Sequence, residues 1–383
     1  MNADPAEVLE TRPPEHVGLG RFTLYFLRLG ATGFGGPIAL AGYMQRTLVE
    51  ERRWISRKDY VDGLALAQLA PGPLAAQLAM YLGFVRGGVP GATLVAVAFI
   101  LPSFLMVWAI SAAYVAYGGL SWMQAVFYGV GAAVIGIIAR SAYKLTRLTI
   151  GRDGLLWGIF VVVAAATAWA EREIVWLFLA GGLVALAARR REVLAVAGIF
   201  PVAATVPGTA TSSLAGLLWF FAKAGAFVFG SGLAIVPFLY GGVVQEHHWL
   251  TDRQFLDAVA VAMITPGPVV ITVAFIGYLV AGPAGMIVAA VGVFVPVYLF
   301  VIIPAPYFRR YGGHGAIKAF VAGVTAAAAG AIAGAVVVLA RRAFVDVWTV
   351  VIGVSALVIL TRWRVSELWL IGGSAIVGLV LRG

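Results

Sequence analysis

The sequence predicts an all-α polytopic membrane protein built from two homologous inverted-topology repeats, with about ten transmembrane helices plus two re-entrant broken-helix segments. Three observations predict this. Apolar residues fill 62% of the 383 positions and charged residues only 11%, whereas a soluble domain carries about 25% charged residues. The apolar residues come in runs that approach the roughly 20 residues a bilayer-spanning helix needs. A set of Trp, Asp, Pro and Gly positions also recurs at one fixed separation in the second half of the chain.

These features exclude a single soluble core and a disordered chain. The net charge of +10 sits in short Lys/Arg clusters between apolar runs, which reads as membrane topology and not as nucleic-acid binding. The chain has no cysteine, so disulfides, thiol catalysis and iron–sulfur ligation are excluded. Residues 1–20 form a polar tail with Asp4, Glu7, Glu10 and Glu15, unlike a cleavable signal peptide. Residues 21–191 form the first repeat, 192–212 an Ala-, Pro- and Thr-rich linker, and 213–383 the second repeat.

In the first repeat, lipid segments are expected near 21–45, 60–84, 88–116, 121–139, 153–170 and 173–188. The second set lies near 213–244, 255–280, 283–306, 315–340, 344–361 and 365–381. Trp54 aligns with Trp249, Asp62 with Asp257, and Pro71-Gly72-Pro73 with Pro266-Gly267-Pro268, all 195 positions apart. The halves differ in charge. The loop after the first segment carries Arg46, Arg52, Arg53, Arg57 and Lys58, and its counterpart only Arg253 beside His247 and His248. Because cytoplasmic loops collect Lys and Arg, the halves read as oppositely oriented. If 60–84 enters and leaves on one side, 18 of the 27 Lys and Arg fall inside and 7 outside. Arg28 and Lys223 remain within apolar segments.

Two short helices are expected, at 57–69 and 252–264. Ser56 with Asp59 and Thr251 with Gln254 supply their N-caps. The Pro-Gly-Pro turns stop them, since proline lacks an N–H and disfavours helix before it. Pro73 and Pro268 suit the first position of a new helix. Thirteen residues span about 20 Å, short of a crossing. The next helix then starts inside the membrane, with free N–H groups near 74–76 and 269–271 forming an anion-binding terminus.

Arg28 and Lys223 occupy equivalent repeat positions. A cation in mid-membrane costs at least about 2.5–3.5 kcal/mol and marks function, against the alternative of snorkelling to the interface. Together with the two helix termini they suit a doubly charged anion. Gly35, Gly36, Gly230 and Ser231 follow these cations and allow close backbone approach, or else tight helix packing. Gln68, Gln77, Thr265 and Thr272 flank the Pro-Gly-Pro turns as hydrogen-bonding groups. Asp62, Asp257, Glu51 and Glu246 are the candidates to carry a coupling proton, with a plain first-turn acid as the competing reading for both aspartates.

The Phe-Gly-Gly-Pro stretch at 34–37 and the Gln-Leu-Ala-Pro-Gly-Pro stretch at 68–73, with their second copies, resemble the chromate transporter (CHR) family in its long two-domain form. The resemblance covers about residues 20–380. It implies export of chromate across the bacterial inner membrane, driven by the proton motive force and conferring chromate resistance. It also admits sulfate, a dianion of the same shape. The second copy departs from the first, with Ser231-Gly232 in place of Gly36-Pro37. Expected partners are chromate or a sulfate-like dianion, protons and the bilayer, with a homodimer allowed and no nucleic acid. No cofactor or metal is expected.

A passive anion channel shares the positive site but would not respond to a proton gradient. A membrane enzyme is the third reading. Against it, His16, His247, His248 and His314 lack metal-ligand spacing. The sequence also has no G-x-x-x-x-G-K-[ST] phosphate loop for ATP-driven pumping.

Overall fold

The computed structural model describes residues 15, 17–34, 36–117, 120–171, 175–188, 213–227, 232, 235–306, 315–363 and 365–382. Its elements are helical: α1 (Leu19–Thr32), α2 (Gly36–Met44) running into a π-helical turn (Gln45–Glu51), α3 (Arg57–Leu69), α4 (Leu74–Tyr117), α5 (Ser121–Ile150), α6 (Gly154–Ala170) and α7 (Val175–Ala188). The series continues with α8 (Leu214–Phe227), α9 (Ile235–Leu239) with a second π-helical turn (Tyr240–Glu246), α10 (Asp252–Ile264) and a 3₁₀ turn (Val269–Ile271). After these come α11 (Thr272–Ile302), α12 (Gly315–Ala343), α13 (Val347–Arg362) and α14 (Glu367–Arg382). Among the described residues, four helices are long and apolar enough to cross a membrane, and four shorter apolar helices accompany them. The protein is an all-α polytopic membrane protein.

The expected first segment, 21–45, is not one crossing helix. Gly33 leaves helical geometry with ψ 103°, and the chain turns back through α2. Tyr25 donates to the Tyr43 carbonyl at 3.3 Å. The Glu15 N–H donates to the Arg53 carbonyl at 2.8 Å, so the hairpin returns to the face it started from. Small residues cause this. A Cβ on Gly33 would meet the Leu29 carbonyl and the Leu40 side chain, so only glycine lets the two legs close. In the second half, Phe220 of α8 lies edge-on to Trp249 at 5.4 Å. The linker at 192–212 lies outside the described residues.

A second hairpin follows. α3 and α10 each hold 13 residues. Ser56 accepts the Asp59 N–H, and Thr251 with Gln254 closes a full capping box, as the sequence requires. After the Pro-Gly-Pro break, α4 runs to Gly87–Gly88, where it kinks sharply (Gly88 φ 58°, ψ −149°). α11 kinks alike at Ala281–Gly282 (Gly282 φ 61°, ψ −154°). A Cβ on Gly83 would lie 2.6 Å from the Gly91 carbonyl. Residues eight apart in a straight helix are about 12 Å apart, so the chain doubles back there. Pro73 and Pro268 precede the new helices instead of opening them. α4 starts at Leu74, and the extended Pro268 (ψ 123°) leads into the 3₁₀ turn before α11.

Polar contacts sort the loops onto two faces. Arg86 Nε donates to the Val17 carbonyl at 3.0 Å, so residues 17, 53 and 86 share the arginine-rich face. On the opposite face, Arg253 Nη2 donates to the Gln124 carbonyl at 3.1 Å, Arg342 pairs with Glu171 at 3.1 Å and Arg382 with Asp346 at 3.0 Å. The main core joins α1, α4, α8, α10 and α11. Hydroxyls of Thr93 and Tyr298 meet at 2.6 Å, placing the start of one long leg beside the end of the other. The long legs of α4 and α11 therefore run antiparallel. The α6–α7 pair packs on α12, and α13 and α14 pack on α5.

Candidate functional site: the broken-helix tips

The unwound tips of hairpins from the two halves touch. The Gly267 N–H donates to the Gly33 carbonyl at 2.9 Å, joining the second Pro-Gly-Pro turn to the break between α1 and α2. Ser103 of α4 donates to the Pro266 carbonyl at 2.7 Å. The first turn packs against the other half in the same way, with Gly72 against Val297 of α11. Gly72 has φ 140° and Gly267 φ 94°, a left-handed region that favours glycine. Unwound backbone at membrane depth is tolerated where it is buried in protein or lines a cavity. Gly72, Pro73, Pro266, Gly267 and Pro268 are buried.

Gln77, which the sequence places beside the first turn, is fully buried. Its Nε2 donates to the Pro71 carbonyl at 2.6 Å, and its Oε1 has no hydrogen-bond partner. Thr265 and Thr272 turn their hydroxyls back onto their own helical turns, to Val261 and Ala262 and to Val269. Gln68 is exposed and does not join the tip. Gly36, with φ 75°, opens α2. Gly35, Gly230 and Ser231 lie outside the described residues.

Arg28 is exposed on α1, and Lys223 is half-buried on α8. Arg28 lines a cavity of about 320 Å³ with Arg21, Leu24, Tyr25, Arg52 and Trp54. Spacing alone did not reveal this grouping, because Arg52 and Trp54 reach α1 only when the hairpin closes. Across the molecule, a larger recess of about 540 Å³ includes Tyr240, His248, Asp252 and Arg342. There Tyr240 donates to Asp252 at 2.5 Å.

The acidic candidates separate by environment. Asp257 is 3% exposed and accepts a 2.7 Å hydrogen bond from Tyr114 of α4, a contact between halves. Glu51 is exposed and pairs with Arg46 at 2.9 Å. Glu246 is exposed, and Asp62 is half-buried. No metal-ligand cluster occurs among the described residues.

The family model described as "Chromate transporter" matches this chain twice, over residues 20–186 and 215–379. The chain is 60% identical over 372 residues to the "Chromate transport protein" of Cupriavidus metallidurans, covering 94% of this chain and 93% of that protein. It is 58% identical to the "Probable chromate transport protein" of Synechococcus elongatus, covering 91% of each. With the "Chromate transport protein" of Pseudomonas aeruginosa it shares 33% identity, over 88% of this chain and 86% of that one. No solved structure matches.

Proposed function

The chain belongs to the chromate transporter family, and from that membership we propose that it is a secondary transporter exporting chromate across the inner membrane, driven by the proton motive force and conferring resistance. The observation that carries this reading is the contact between broken-helix tips, Gly267 N–H to the Gly33 carbonyl. Two halves whose long legs run antiparallel and whose unwound segments meet are the framework that inverted repeats use to bind at mid-membrane and alternate access. The two matched regions of the family model support the same division, 21–191 and 213–383, with 192–212 joining them. The arginine-rich face is taken as cytoplasmic.

In this reading Arg28 and Lys223 each stand on the first leg of a hairpin, short of its tip, and supply positive charge to the dianion. Arg bonds in a fork, and Lys acts as a point charge. The backbone of 71–73 and 266–268, with Gly36, frames the passage. The buried Asp257 is the best-sited proton carrier of the four acids, because it faces the other half through Tyr114.

Everted membrane vesicles test this directly. Chromate uptake should collapse with a protonophore and be competed by sulfate and molybdate, tetrahedral dianions like chromate, more than by phosphate. Arg28→Ala and Lys223→Ala should each lower uptake at least tenfold while the protein still folds. Uptake indifferent to the protonophore would point to a channel, and undiminished uptake by both variants would remove these residues from the site.

A further inference from the structure

We propose that the cavity formed by Arg21, Arg28 and Arg52 is a capture site for a tetrahedral oxyanion on the arginine-rich face, lying before the tips and loading them, with Arg28 shared between the two. The inference rests on the family reading only for its role in loading; the binding chemistry stands on the cavity itself. Three arginines from two separate stretches of chain line one space of about 320 Å³. Among the described residues none of the three has a carboxylate within ion-pair distance, because the nearby acids are taken. Glu51 pairs with Arg46 at 2.9 Å, and Glu50 accepts from Gln45 at 3.0 Å. Unpaired like charges repel, and an anion placed among them relieves that repulsion.

The geometry is also pre-set. The Arg52 guanidinium lies 4.7 Å from the Trp54 ring and 5.9 Å from Tyr25. Stacking of this kind holds the planar fork in place and leaves its N–H edge to a ligand. Trp54 is fixed in turn by Phe22, at 6.3 Å between ring centroids. Arg28 stands nearest the hairpin tip and Arg21 nearest the mouth, seven residues or about 10 Å apart along α1. An anion held here can therefore move inward from one cation to the next.

The second half retains the stack and drops the fixed charge. Positions 195 residues on from Arg21, Arg28 and Arg52 hold Gly216, Lys223 and His247. The His247 ring stacks on Trp249 at 4.5 Å, as Arg52 does on Trp54. At these equivalent positions the second half thus keeps one permanent cation where the first has three, and Arg342, in the recess on that side, is paired with Glu171. Capture is strong on one side and release easier on the other.

Sulfate and molybdate, titrated calorimetrically into protein held in phosphatidylcholine nanodiscs at fixed ionic strength, probe the site without transport. Arg21→Gln and Arg52→Gln should each weaken binding about tenfold or more, the scale of one charged hydrogen bond. Arg52→Lys, which keeps the charge and loses the fork, should fall between. In vesicles the Gln variants should raise the KM for chromate with kcat held within about twofold. A lipid phosphate has the same chemistry, so the titration is repeated with phosphatidylglycerol. Displacement of sulfate by that lipid, together with a lipid adduct lost in both Gln variants, assigns the cavity to a headgroup. Equal sulfate affinity and an equal lipid adduct in wild type and both variants would overturn the site. Failure of wild-type chromate uptake alone would strike the proposed function and leave this binding result standing.

Discussion

Gly267 shows how much one position can carry. Its φ of 94° is strained for any side chain, and a Cβ there would collide with Ser103 Oγ. Gly267→Ala should destabilise the protein by about 1–3 kcal/mol and loosen the joint between hairpin tips. A melting curve in detergent checks this, and an unchanged midpoint would mean that the tips do not meet as described. Asp346 gives a pH test. The Tyr128 hydroxyl, at 2.6 Å, and the Thr349 N–H hold its carboxyl well below the usual carboxylate range. A depressed native pKa stabilises above the unfolded value of about 3.9 and is lost as pH falls through the native one. Asp346→Asn should therefore melt earlier than wild type at pH 7, with the gap closing below about pH 4.

At the scale of elements, the short helices α3 and α10 owe their starts to caps. Thr251→Ala removes a reciprocal capping box and should cost about 1 kcal/mol. Ser56→Ala, where Asp59 also accepts from the serine hydroxyl at 2.6 Å, should cost a similar amount. Thermal unfolding of the two variants side by side tests whether both helices are held at their N-termini; no loss in either would indicate that packing alone fixes them. These elements were legible because caps and Pro-Gly-Pro breaks are local signals. The α1–α2 hairpin was not, since Gly33 to Gly36 looks the same in sequence whether a helix bends slightly or reverses. Reversal is decided by Leu40 closing over Gly33, a contact no local pattern reports.

Across the whole molecule, the two ends of the chain are interlocked. The α6–α7 pair rests on α12 and the α13–α14 pair on α5, so neither half completes its packing alone. Gly323 lies against the Gly181 carbonyl, and Gly129 against Ser374, which is how small residues let membrane helices approach. The closing of Tyr114 onto Asp257 ties the buried acid to the same interface, where any rocking of the halves would alter its surroundings.

The amino-acid order by itself determined the helical membrane class, the paired short helices and their breaks, and the charge imbalance between loops. All of these depend on residues within a turn or two of each other, or on composition. Only the tertiary structure decided that the first segment turns back, that tips from different halves touch, and that Arg52 joins Arg21 and Arg28 around one cavity. Those outcomes depend on which distant surfaces fit together, and packing between residues far apart in the chain leaves no periodic trace along it.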